Sequence, residues 1–179
     1  MREPAIVLVG PMGAGKTSVG RRVARALQLP FADTDRIVVR DNGPIAALFQ
    51  SHGEEHFRAA ERAAVREALA AGGVVALGGG AVLDADTRAD LTHHRVVLLT
   101  VRPRIVAARI GGDARPLLSG EDPVGRWTRI FDERRPIYES IADVTFDTSS
   151  GPLADIVTKI TDWVREDSGI VSGDPEEDE

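Results

Sequence analysis

The chain has 179 residues, a length that suits one domain, and no cysteine, which excludes disulfides and thiolate-based zinc sites. Hydrophobic residues make up 42% and aromatic residues only 4%, so a core has to rest on Val, Leu, Ile and Ala. The formal charge of −6 is concentrated at one end: five of the six residues 174–179 are acidic and none is basic, which leaves −1 for the rest. Basic residues are scattered with few aromatics between them, which argues against a nucleic-acid surface. No apolar stretch is long enough to span a bilayer, and Met1-Arg2-Glu3-Pro4 does not look like a signal peptide. A cytoplasmic enzyme with no membrane partner is therefore expected.

In chain order, the first strand is expected over 5–10. It runs into Gly10-Pro11-Met12-Gly13-Ala14-Gly15-Lys16-Thr17, which fits G-x-x-x-x-G-K-[ST] at every fixed position. A helix with Val19, Val23, Ala26 and Leu27 at helical spacing follows. Strand, glycine loop and helix together form a phosphate cradle. The glycines let backbone N–H groups turn inward, and the helix aims its positive dipole end at the same point. Lys16 can reach the outer phosphates, and the Thr17 hydroxyl is placed for a magnesium ion.

A second strand near Phe31 is expected to end at Asp33-Thr34-Asp35. Two carboxylates two residues apart in an extended segment can face the same way. One can serve a metal and the other an attacking hydroxyl. The alternative is that the aspartates only cap a helix. A helical region over 37–69 follows, broken at Asn42-Gly43-Pro44 and near Ser51-His52-Gly53. It carries Phe57-Arg58 with Glu61, where a surface ion pair is the plain reading. His52-Gly53-Glu54-Glu55-His56 matches H-x-x-E-H, but Gly53 at a helix start separates the histidines, so a zinc site is not expected.

The third strand, 74–77, ends in Gly78-Gly79-Gly80, and the fourth covers 96–100. A helix after Pro103 stops at Gly111-Gly112. The polar loop to Asp122 holds Arg115-Pro116-Leu117-Leu118, and glycines near its ends would let it swing an arginine onto a phosphate. A helix over 123–142 contains Arg134-Arg135-Pro136, with Pro136 expected to kink or split it. A fifth strand covers 144–146 and a last helix ends near Glu166, followed by an acidic disordered tail over 168–179. Short apolar strands alternating with helices imply an α/β fold: a five-stranded parallel sheet with helices on both faces. The glycine loop, the aspartate pair and the triple glycine all fall at carboxyl ends of strands, where such sheets bind ligands.

Gly10–Thr17, Asp33-Thr34-Asp35, Phe57-Arg58 with Glu61, Leu77-Gly78-Gly79-Gly80-Ala81, Arg115–Leu118 and Arg134-x-Pro136-x-Tyr138 form an ordered set that resembles the shikimate kinase family, over about residues 5–165. The resemblance implies a P-loop NTPase architecture with a mobile lid at about 111–122 in a domain spanning 1–167. It implies transfer of the γ-phosphate of ATP to the 3-hydroxyl of shikimate, a step toward chorismate and the aromatic amino acids, by a monomer. Gly13, Ala14, Gly15, Lys16, Thr17 and Ser18 would hold the phosphates, with Thr17 and Asp33 on Mg2+. Asp35 would hold the accepting hydroxyl. Arg58, Arg134 and the glycines Gly78, Gly79 and Gly80 would hold shikimate, with Phe49 and Phe57 on its apolar side. Arg115 would come down onto the phosphates, and Arg109 would lie against adenine. The segment 147–152 matches the family only partly and lacks an arginine that many members carry there. Gluconate kinase is the nearest rival in mechanism. A GTP-operated switch is a rival of another class, but no Asn-Lys-x-Asp motif occurs.

Overall fold

The computed structural model describes residues 3–109 and 122–169. Its elements run β1 (Ile6–Val9), α1 (Lys16–Leu27), β2 (Phe31–Asp33), α2 (Thr34–Asn42), α3 (Ile45–Ala71), β3 (Val74–Ala76), α4 (Ala85–Leu91), β4 (Arg95–Thr100), α5 (Pro103–Arg109), α6 (Pro123–Ile141), β5 (Val144–Asp147) and α7 (Leu153–Asp167). The strands form one parallel sheet in the order β2-β3-β1-β4-β5. β1 lies in the middle, so the glycine loop that leaves it opens at the centre of the sheet's carboxyl edge.

The continuous apolar strands have one cause. Both faces of the sheet are covered, so successive side chains of β1 must be buried in opposite directions. Ile6 and Leu8 pack on α1 and α7 through Val19, Val23, Ile156 and Ile160. Ala5, Val7 and Val9 pack on the other side against Val65, Ala68 and Leu69 of α3 and Tyr138 of α6. Leu8 is fully buried at the middle of this stack. Truncating such a residue to alanine costs about 2–5 kcal/mol, a sizeable part of a domain's net stability of about 5–15. A smaller cluster of Val38, Leu48, Phe57 and Ala64 joins α2 to α3 and stands apart from the sheet.

Three local expectations are corrected. Asp35 is not in an extended segment: β2 ends at Asp33, and Asp35 lies in the first turn of α2. Asp33 Oδ1 accepts from the N–H groups of Asp35 and Arg36, and this cap starts the helix at once. Pro136 does not split α6, which runs from Pro123 to Ile141 as one element. Proline removes a single backbone bond, and buried Arg134 and Tyr138 anchor the helix on either side of it. A short helix, α4, stands where none was expected, capped by Asp84, whose carboxylate accepts from the Thr87 N–H. The break at Gly53 is present as non-helical backbone (φ 81°, ψ 177°) inside α3.

Candidate active site

The glycine loop wraps the N-terminus of α1. Gly13 and Gly15 have φ of 79° and 93°, which side-chain-bearing residues rarely adopt. Gly13, Gly15, Lys16, Thr17 and Ser18 line a cavity of about 280 Å³ together with Asp33 and Asp35. Ala14 is fully buried and does not line it. Lys16 Nζ donates to the Gly10 and Pro11 carbonyls at 2.8 and 3.0 Å, so the ammonium arches over its own loop.

At one wall of this cavity the Thr17 hydroxyl donates to Asp33 Oδ2 at 2.6 Å. The two oxygens of Asp33 thus have separate duties, one toward the α2 cap and one toward the loop. A hydroxyl and a carboxylate side by side are hard oxygen donors, which fits a small divalent cation that keeps most of its water.

A second cavity, of about 450 Å³, lies between α2, α3 and the triple glycine. Phe49 and Phe57 flank it with ring centroids 4.8 Å apart, and Arg58, Arg134, Gly79 and Gly80 line its polar side. The Gly53 break lets residues before it (Ile45, Phe49) and after it (Phe57, Arg58) face one space. Arg58 donates to Glu61 at 2.6 Å, reaches Glu54 at 3.4 Å and lies over the Phe57 ring at 5.2 Å. Glu61 is only 3% exposed. Burial pushes its carboxyl above the usual range, while Arg58, and more weakly Arg134, pull it back and Asp35 adds to the rise. Arg134 is buried beside the Tyr138 hydroxyl, which donates to the Gly79 carbonyl. Burial pushes the Tyr138 hydroxyl up to about 12, so it remains a neutral donor at neutral pH.

The triple glycine makes this packing possible. A Cβ on Gly78 would lie 2.7 Å from Asp35 Oδ1 and 2.8 Å from Glu61 Oε1, and one on Gly80 would collide with the Arg58 guanidinium. Gly78 itself lines neither cavity, and its N–H donates to Thr34 Oγ1 at 3.0 Å. The structure therefore brings together Lys16, Thr17, Asp33, Asp35, Phe49, Phe57, Arg58, Gly79, Gly80 and Arg134. Arg109 is held at the loop's far side, donating to Gly13 O at 3.0 Å and to Thr148 O at 3.0 Å. Arg115 lies outside the described residues. Sequence reasoning missed Met12, Val39 and Ile45 as lining residues. Ile45, four residues before Phe49 and just after Pro44, was the available signal, since that spacing puts both on one helical face. Among the described residues no cluster of three metal-ligating side chains occurs and no helix is long and apolar enough to cross a membrane.

A family model described as Shikimate kinase matches residues 12–165. The shikimate kinase of Thermobifida fusca (strain YX) is 51% identical over 150 residues, covering 82% of this chain and 87% of that protein. The solved structure of shikimate kinase from Acinetobacter baumannii in complex with shikimate superposes with a TM-score of 0.87 at 36% identity, covering 92% of this chain and 94% of that one. A gluconokinase from Sinorhizobium meliloti 1021 shares the fold alone, at 22% identity and a TM-score of 0.62. The family model, the relative and the superposition agree with the two adjoining cavities, and the chain belongs to the shikimate kinase family, whose members phosphorylate shikimate with ATP.

Proposed function

We propose that the terminal phosphoryl group of ATP passes to the 3-hydroxyl of shikimate where the two cavities meet. The observation that carries this reading is their shared wall: Met12, Asp35 and Gly79 line both. The cavity of the glycine loop takes the phosphates, and the cavity beside Arg58 and Arg134 takes the acceptor. Guanidinium forks match a planar carboxylate, so these arginines orient the acid while Phe49 and Phe57 cover its ring. Asp35, on the shared wall, holds the accepting hydroxyl and takes up its proton as the bond to phosphorus forms. Positioning of this kind is the main thing a phosphoryl-transfer enzyme supplies.

Thr17 and Asp33 are the residues that would hold Mg2+, and their hard-oxygen chemistry fits it. Bound there, the ion supplies charge neutralisation at the phosphates. Lys16 and the loop N–H groups share that task, and Arg115 is assigned to the transferring phosphoryl group from the sequence. Arg109 is assigned to the nucleotide side, where its bonds to Gly13 and Thr148 already hold it. The same reading takes residues 1–167 as the kinase unit, working as a cytoplasmic monomer with no nucleic-acid or membrane partner.

The test is ADP release with shikimate, gluconate and nucleoside monophosphates as acceptors, with phosphorus-coupled proton NMR locating the phosphate on the product. Turnover confined to shikimate with phosphate at the 3-position supports the reading. Comparable turnover with gluconate overturns the choice of acceptor, and comparable turnover with shikimate reduced to the alcohol, run as a further acceptor, overturns the carboxylate-reading role of the arginines.

A further inference from the structure

Every carbonyl of the glycine loop from Gly10 to Ala14 accepts a hydrogen bond from a side chain. Lys16 takes the first two. The next three are taken from outside the loop: Trp127 Nε1 of α6 donates to Met12 O at 2.8 Å, Arg109 to Gly13 O at 3.0 Å, and the Thr148 hydroxyl to Ala14 O at 2.8 Å. The Thr148 hydroxyl has one proton and also lies 3.1 Å from Thr100 O, so the nearer Ala14 carbonyl is its better acceptor. Trp127 and Thr148 are 1% and 2% exposed, which keeps water from competing for these bonds.

A trans peptide is a plane in which C=O and the following N–H point in opposite directions. Fixing Met12 O therefore fixes the Gly13 N–H, and fixing Ala14 O fixes the Gly15 N–H. Gly13 and Gly15 both line the phosphate cavity. The Ala14 N–H, governed by Gly13 O, closes a turn onto Pro11 O instead. Glycine-flanked peptides flip easily, because glycine tolerates both signs of φ. The clamps are thus applied where a flip would turn a carbonyl oxygen toward phosphate.

We propose that Trp127 and Thr148 are positioning residues for the phosphates of ATP, acting through the Met12 and Ala14 carbonyls to hold the Gly13 and Gly15 N–H groups inward. The inference rests on the reading that the loop binds those phosphates. The test compares Thr148→Val, Thr148→Ser and Trp127→Phe with the parent enzyme, reading the KM for ATP, the KM for shikimate, ADP affinity and the melting temperature. Valine keeps the shape and loses the donor, serine keeps the donor, and phenylalanine keeps a ring without the N–H. Expected are a rise of about five- to tenfold in ATP KM and ADP Kd for Thr148→Val and Trp127→Phe, shikimate KM within about twofold, and recovery in Thr148→Ser. An ATP KM within about twofold of the parent in both, even with a lowered melting temperature, overturns the proposal. So does equal impairment of the Val and Ser variants. If Thr148→Val does not fold, Trp127→Phe and Thr148→Ser decide. Lys16→Met separates the two levels. Loss of its turnover with unchanged ATP KM in the clamp variants overturns only the clamps. Retained turnover overturns the phosphate reading and the clamps with it.

Discussion

The Asp33 carboxylate holds the Thr17 hydroxyl at 2.6 Å with one oxygen and starts α2 with the other. A side chain with two employers gives a variant that separates them. In Asp33→Asn the amide oxygen can keep the cap while the charge is lost. We expect the Mg2+ concentration for half-maximal turnover to rise about tenfold, with the melting temperature nearly unchanged. Asp33→Ala should lose the cap as well, at about 1 kcal/mol. Magnesium titrations of activity, paired with thermal melts, check both. An unchanged magnesium requirement in Asp33→Asn removes Asp33 from the metal site.

Asp35→Asn should lower kcat by about 10²–10⁴ and leave ATP binding intact. The residue lies on the wall that both cavities share and holds the accepting hydroxyl, so its loss affects transfer rather than the holding of the nucleotide. Steady-state kinetics with a separate measurement of nucleotide affinity check this. Near-normal turnover would rule out the assigned role.

Arg58→Lys should raise the KM for shikimate by at least about tenfold despite keeping the charge. An ammonium cannot hold Glu61, cover Phe57 and present a fork to a carboxylate at once. Gly80→Ala should act in the same direction without touching the charge, because the added methyl meets the Arg58 guanidinium. The ratio of the two KM values, with kcat recorded alongside, reads the geometry of the fork. A wild-type KM in both variants would make Arg58 a surface charge.

Acid should loosen the start of the sheet. The Ala5 N–H donates to His94 Nδ1 at 3.0 Å, which requires that nitrogen to be unprotonated. Burial lowers the affinity of His94 for a proton, His93 adds to this, and Asp90 opposes it. A base with a depressed folded pKa contributes stability above its ordinary value of 6.5, and that contribution is lost as pH falls from there through the lowered folded value. Thermal melts of the parent and of His94→Asn, which keeps an acceptor and does not titrate, should diverge below that point. Parallel curves down to about pH 5 would show that the bond does not govern acid stability.

The sequence made β1, the glycine loop and α1 legible because a continuous apolar run marks a buried strand, and glycines at the fixed spacing of a phosphate loop supply the positive-φ positions it needs. It placed Asp33 and Asp35 at the site but not in their conformation. An aspartate at a strand end can extend the strand or cap a helix, and here the N–H groups of Asp35 and Arg36 decided for the cap. α4 was hidden because its seven residues carry a single large apolar side chain, Leu91, too little to show a helical period. The clamps by Trp127 and Thr148 were hidden for another reason. They join residues 115 and 134 positions apart, and a side chain meeting a distant carbonyl leaves no local pattern.

Two compartments that share Met12, Asp35 and Gly79 in their lining adjoin one another. A compound that joins a phosphate chain to a ring acid directly, with little or no tether, would occupy both at once. Filling the first compartment would then present the second group at an effective concentration that a free molecule does not reach. Lengthening the tether should weaken such an inhibitor, because slack between two rooms that already touch only adds disorder to be frozen out on binding.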